Sequence, residues 1–276
     1  MSAATDWSVF RSWKPPASSH LAEDPWRSIL AWTEKARADV GVLEARLSEL
    51  RSKWRRRLEK LGGDPGDSNW TSFRPLRLSR EEDWSDWLAH LLQESRTGEF
   101  ARRLLDPTSD PASFTRLAVL RECSTEDGGW RADLVLEGAG SRFHHIEVKV
   151  GDQAFTKTFE TSRGLRRKFK TARAWSDFIV LPESSLYEWE ECAAAADCEI
   201  AVEPILWSSV AISLRRCLWR GVEPVAWRAW ALAFCGAVEQ TLLGVGHALS
   251  RFAPVVVRME QAMGAIFILE QGMSDE

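Results

Sequence analysis

Arg131-Ala132-Asp133-Leu134-Val135-Leu136-Glu137 and, past a short glycine-bearing turn, Phe143-His144-His145-Ile146-Glu147-Val148-Lys149-Val150 read as two β-strands. Side chains alternate with period two along a strand, so Ile146, Val148 and Val150 share one face while Glu147 and Lys149 share the other. Val and Ile suit a half-buried strand, but two opposite charges set between them need a reason. An acid two residues before a lysine, with a second acid on the preceding strand, is a donor set that holds a divalent metal and activates water beside it. That chemistry points to phosphodiester hydrolysis.

Working outward, the pattern alternates helix and strand. Residues 1–23 are polar, contain Pro15-Pro16, and read as a loosely structured arm carrying Trp7, Phe10 and Trp13. Asp24-Pro25 reads as a helix start with Pro at the first helical position. Val40, Leu43, Leu47, Leu50, Trp54 and Leu61 then follow at alternating spacings of three and four, broken at the seam by Arg57. This stripe suits packing on its own domain as well as pairing with a second copy. Gly62-Gly63-Asp64-Pro65-Gly66-Asp67 stops the helix and marks an internal boundary. Ser79-Arg80-Glu81-Glu82 fits a capping box with Glu82 as its acid, and Trp84, Leu88, Leu91 and Leu92 form the buried stripe of the helix behind it.

Strands are expected at about 116–122, at the two quoted stretches, at Asp177–Leu181 and at Glu199–Val202. Helices are expected at about 157–173, 184–195, 204–218 and 224–249. The expected fold class is α/β, a small mixed sheet flanked by helices with a long N-terminal helix and a C-terminal helical extension. The segments divide as 1–66 (arm and long helix), 67–205 (core) and 206–276 (extension).

A hard cation such as Mg²⁺, with Mn²⁺ able to substitute, takes oxygen ligands and keeps several waters. Asp133, Glu147 and the backbone carbonyl of Val148 are the expected ligands. Lys149 is placed to position or deprotonate the attacking water and to screen developing negative charge. His144 and His145 alternate across the strand, so one at most faces this site, and neither is expected as a ligand.

With Asp133, thirteen intervening residues and Glu147-Val148-Lys149, over about residues 79–205, the chain resembles the PD-(D/E)xK, or restriction-endonuclease-like, nuclease superfamily. There a helix precedes a strand hairpin, with an Asp on the second strand and a (D/E)-x-K on the third. The resemblance implies a restriction-endonuclease-like core and a metal-dependent nuclease, DNA favoured, with bacterial restriction or anti-phage defence as context. It also implies an acid on the leading helix, for which Glu81 is the choice as catalytic residue and metal ligand. Arg131-Ala132 stands where the family often has Pro before the Asp, and Gln153 is the nearest counterpart of a Gln that often follows the Lys.

Lys157, Thr158, Arg163, Arg166, Arg167, Lys168, Lys170 and Arg173 follow the Glu-x-Lys strand. They read either as phosphate contacts or as a solvated helix face. A net charge of −4 excludes a globally basic nucleic-acid coat but not a local basic groove. Five Cys without a CxxC pair read as reduced thiols in a cytoplasmic protein. The best membrane-span candidate, Val225 to Val245, is interrupted by Arg228, Glu239 and Gln240, so no membrane association is expected. Two alternatives differ in kind: a catalytically silent nuclease-like fold acting as a nucleic-acid-binding or protein-adaptor module, and an RNA nuclease. Partners beyond nucleic acid are a second copy, through the helix at 25–61, or a partner protein of a defence system.

Overall fold

In a computed structural model the structure describes residues 25–67, 70, 78–151, 154–196, 200–245 and 254–274. The N-terminal arm, Gln153, Cys198 and Glu199 lie outside them. Five strands form one mixed sheet in the order β1-β2-β3-β4-β5: β1 (Ala118–Ser124), β2 (Arg131–Gly138), β3 (Arg142–Val148), β4 (Ala174–Leu181) and β5 (Val202–Leu206). β1 to β3 run antiparallel, joined by tight turns, whereas β3, β4 and β5 run parallel and need crossover helices. Those helices are α4 (Thr156–Lys168) and α5 (Leu186–Ala195). Around them stand α1 (Pro25–Arg57), α2 (Glu81–Glu94), α3 (Glu99–Leu105), α6 (Trp207–Arg220), α7 (Val225–Ala237) and α8 (Val255–Met273). This is the α/β architecture expected, with its long N-terminal helix and C-terminal helices.

Several boundaries move for identifiable reasons. The acid that caps α2 is Asp83, not Glu82: its Oδ2 accepts from the Ser79 and Arg80 backbone N–H groups, both at 2.9 Å, because Arg80 rather than Ser79 is the residue that precedes the helix. Pro204, expected to open a helix, lies inside β5; on an edge strand its missing N–H costs no ladder bond. The helix opening at Val225 ends in a π-turn at Val238–Leu242, and α3 and α8 have no counterpart in the periodicity reading. Among the described residues no helix is long and apolar enough to cross a membrane.

The sheet is covered on both faces. Leu134, Leu136, Ile146, Val148, Phe178 and Val180 point into one large core shared with α2, α6 and α7. α1 joins the same core through Leu47, Leu50, Trp54 and Leu58, so the stripe read from its sequence packs against α8 within the chain. Arg57 breaks the stripe as expected, and its Nε donates to the Trp219 carbonyl at 2.7 Å while Leu58 takes the buried place. The core therefore does not break at the Gly62–Asp67 turn.

That turn is instead clamped to the C-terminal helices by ions. The Arg215 guanidinium on α6, 2% exposed, donates to Asp64 at 3.2 and 3.3 Å and to Glu239 Oε2 in the π-turn at 2.8 Å, and it lies 4.7 Å over the Trp54 ring. Burial works against the cation, but Asp64 and Glu239 outweigh it and hold its pKa far above the ordinary value. Gly272 of α8 leaves room for this cluster, since a Cβ there would sit 2.6 Å from Cβ of Arg215. Arg215→Met leaves two carboxylates buried without their cation, which costs roughly 3–5 kcal/mol. Urea denaturation at neutral pH measures it, and a loss below about 1 kcal/mol, the scale of an exposed pair, would mean that both acids escape to water.

Candidate active site

The opposite face of the sheet is divided. Phe155, Phe159, Ile179, Leu181 and Trp189 form one apolar cluster, and Val135, Phe143 and Leu165 belong to another. Between them runs a polar strip, formed because β3 sends His145, Glu147 and Lys149 to this side while His144, Ile146 and Val148 turn away. The register pairs Leu134 with Ile146 and Val135 with His145, and one step further it sets Asp133 opposite Glu147.

Asp133 is partly buried, and its Oδ2 accepts from the Val148 N–H at 2.8 Å. On its other side the β1 ladder skips Glu122, whose φ of 54° is a conformation non-glycine residues seldom adopt and whose carboxylate pairs with Arg131. Burial, then the neighbouring Glu147 charge, pushes the Asp133 carboxyl up to about 7. Burial also works to raise Glu147, but His145 and Lys149 outweigh it and hold that carboxyl below its ordinary value. Glu147 Oε1 lies 3.3 Å from Lys149 Nζ. For Lys149 burial alone would lower the pKa, yet Glu147, Glu81 and Asp133 together raise it, so the ammonium stays charged. A lysine held this way can position a water and screen negative charge beside it.

Glu81, in the first turn of α2, reaches this end of β3. Its Oε1 accepts from the Val150 and Gly151 N–H groups at 2.8 and 3.3 Å, and its Oε2 lies 3.8 Å from Lys149 Nζ. Glu81 therefore braces the chain after β3 and the lysine. Among the described residues no three His, Cys, Asp or Glu side chains converge to hold a metal, so the expected set of Glu81, Asp133 and Glu147 is not assembled as three ligands. The two-carboxylate set does suit a hard cation, which needs few protein ligands: Glu147 Oε2 is buried with no hydrogen-bond partner, and the strand register carries Asp133 to the position beside it.

Behind Glu147 lies a network that the motif reading missed. His145, wholly buried, has its Nδ1 3.0 Å from Asp177 Oδ1 and 3.1 Å from Ser162 Oγ, while its Nε2 faces Glu147 Oε2 at 3.8 Å. Asp177 also accepts from Trp175 Nε1 at 2.9 Å and from Arg166 Nε at 3.1 Å. The available signal was that His145 lies two residues before Glu147 and hence on its face. His144 goes to the other side, stacked 5.5 Å from Phe114, with its pKa lowered first by burial.

The basic helix is α4, and its cations are largely matched within the chain. Arg163 pairs with Glu160, Arg167 with Asp127 and Lys170 with Glu126, while Lys168 donates to the Ser124 carbonyl. Arg166 is committed to Asp177, and Thr158 is wholly buried on the inner face of α4, so the phosphate contact expected of it is not open to it here. Lys157 remains exposed.

The Asp177–His145 pair has a pH signature. Burial opposes His145 protonation, but the Asp177 carboxylate hydrogen-bonded to its Nδ1 and the nearby Glu147 charge raise it from 6.5 to about 9. Burial likewise works against ionised Asp177, but His145, Trp175 and Arg166 lower its pKa from the ordinary 3.8. The histidine's contribution is complete below 6.5 and lost as pH rises through about 9, whereas the aspartate's is present above 3.8 and lost as pH falls through its lowered value. Asp177→Ala is expected to cost about 3 kcal/mol between roughly pH 4 and 6.5, the gap to wild type narrowing toward pH 9 and beyond. Denaturation midpoints across that range check it, and a pH-independent gap contradicts it.

Set beside family models, curated proteins and solved structures, the chain finds no match in any of the three comparisons.

Proposed function

We propose that the protein is a metal-dependent nuclease of the PD-(D/E)xK type, hydrolysing phosphodiester bonds with DNA as the favoured substrate. The observation that carries this reading is the gathering of Asp133, Glu147, Lys149 and Glu81 at the C-terminal end of β3. The element order supports it: a leading helix with Glu81, then Asp133 on the second strand and Glu147 on the third. In this reading Asp133 and Glu147 hold Mg²⁺, or Mn²⁺ in its place. When bound, the ion offsets phosphate charge and lowers the pKa of water beside it.

The chain's own residues do the rest. Lys149, kept charged by three acids, orients the attacking water and balances the negative charge that builds on the phosphate as the bond to the leaving sugar oxygen breaks. Glu81 holds Lys149 and the Val150–Gly151 backbone in place, so the lysine cannot swing into solvent. A place in bacterial restriction or anti-phage defence belongs to the same proposal and rests on the resemblance alone.

The test is cleavage of plasmid, single-stranded DNA and RNA by wild type and Lys149→Ala, with Mg²⁺, Mn²⁺ or a chelator. Wild type should cut DNA only with metal, and Lys149→Ala should cut on the order of 10²–10³-fold more slowly. A wild type that binds DNA and cuts nothing with either metal overturns the enzyme in favour of a binding module. Preferential cutting of RNA moves the substrate.

A further inference from the structure

Glu147 has one carboxylate oxygen on Lys149 and the other without a hydrogen bond, yet the side chain is 7% exposed. That second oxygen faces His145 Nε2, itself buried and without a hydrogen bond, at 3.8 Å. The two atoms face each other a few tenths of an ångström beyond hydrogen-bonding range, each lacking another partner. On its far side the imidazole is not free to move. Asp177 and Ser162 hold Nδ1, and the parallel register of β3 and β4 sets His145 directly against Asp177. Asp177 in turn is fixed by Trp175 and Arg166.

We propose that His145 is a positioning residue for Glu147, passing the orientation fixed by Asp177 and Ser162 to the carboxylate through Nε2. The proposal rests on the nuclease reading and deepens it. A carboxylate that binds a cation has to present the same oxygen in the same plane each time, and its supporting hydrogen bonds set that plane; losing such a partner weakens metal binding about 10–100-fold. An isolated core histidine would need no second nitrogen pointed at the acid of the site. Here the ring bridges two carboxylates on neighbouring positions of one buried strip, one committed to the scaffold and one to the chemistry.

Two substitutions separate the two nitrogens. In His145→Asn the amide occupies the place of Nδ1 and keeps the Asp177 side, whereas in His145→Gln the longer amide reaches the place of Nε2 and keeps the Glu147 side. Mn²⁺ binding is read by calorimetry without substrate, alongside kcat and KM for a DNA substrate. His145→Asn should bind Mn²⁺ about 10–100-fold more weakly and lose kcat with KM little changed, while His145→Gln, which keeps the Glu147 side but not the anchor on Asp177, recovers part of both. Equal behaviour of the two variants, or wild-type Mn²⁺ affinity in a folded His145→Asn, overturns the proposal and leaves the nuclease reading standing on Lys149→Ala. A wild type that binds no Mn²⁺ overturns both. Should His145→Asn fail to fold, Ser162→Ala removes a single oxygen from Nδ1 and is expected to weaken Mn²⁺ binding a few-fold; unchanged affinity there counts against the proposal.

Discussion

Charge in the middle of a sheet covered on both faces is the constraint around which this protein is arranged. β3 is the central strand, and each of its residues from Phe143 to Val148 is buried. A buried ion is tolerated only beside an opposite one, and here the order across the strip is Arg166, Asp177, His145, Glu147, Lys149, Glu81, with the sign alternating at every step. The strip therefore needs an acid from β4 at one end and an acid from α2 at the other. The sheet register and the docking of α2 supply them. Two small apolar clusters flank the strip, and its middle members, Asp177, His145, Glu147 and Lys149, are buried between them, where the low dielectric strengthens each pairing.

Much of this was legible along the chain because periodicity survives folding. The alternation in 143–150 assigned β3 and its two faces, and the stripe of Trp84, Leu88, Leu91 and Leu92 assigned α2; both are buried as read. Glu81 was placed at the site by the family resemblance, which implies an acid on the leading helix, and it does reach the chain just after β3. What was not legible depends on partners far apart in sequence. Nothing local tells Asp177 from any other acid at a strand start; its meaning comes from the parallel register with His145, 32 residues away. The basic run after β3 looks cationic in sequence, yet Asp127 and Glu126, about 40 residues earlier, come within ion-pair distance of Arg167 and Lys170 once β1 and β2 turn back beneath α4. α8 escaped because its apolar residues run round the helix without a stripe. Its burial comes from α1 and α6 rather than from any amphipathic face of its own.

The same long-range logic explains the second ion cluster. Arg215, Asp64 and Glu239 come from three segments separated by up to 175 residues, so none is a motif in sequence. Together they tie the turn after α1 to the C-terminal helices, on the side of the sheet away from Glu147. That side carries most of the tryptophan among the described residues, with Trp84 and Trp207 edge to face at 5.6 Å, and it supplies the large apolar core that a sheet face bearing charges cannot. The division of labour is physical: one face of the sheet holds the fold, which leaves the other able to carry buried ions at a net cost.

That division also determines how substitutions in the strip must be read. Each inner ion has two neighbours, so deleting one weakens the pairing of two opposite charges at once, and the losses do not add. Removing Lys149 takes a partner from Glu147 and from Glu81; removing His145 takes one from Glu147 and from Asp177. A fall in activity from either deletion alone confounds stability with chemistry, because the same carboxylate serves both. Only changes that keep one bond and drop the other assign a role, and His145, whose two ring nitrogens face two different acids, is the position where such a change can be made within a single side chain.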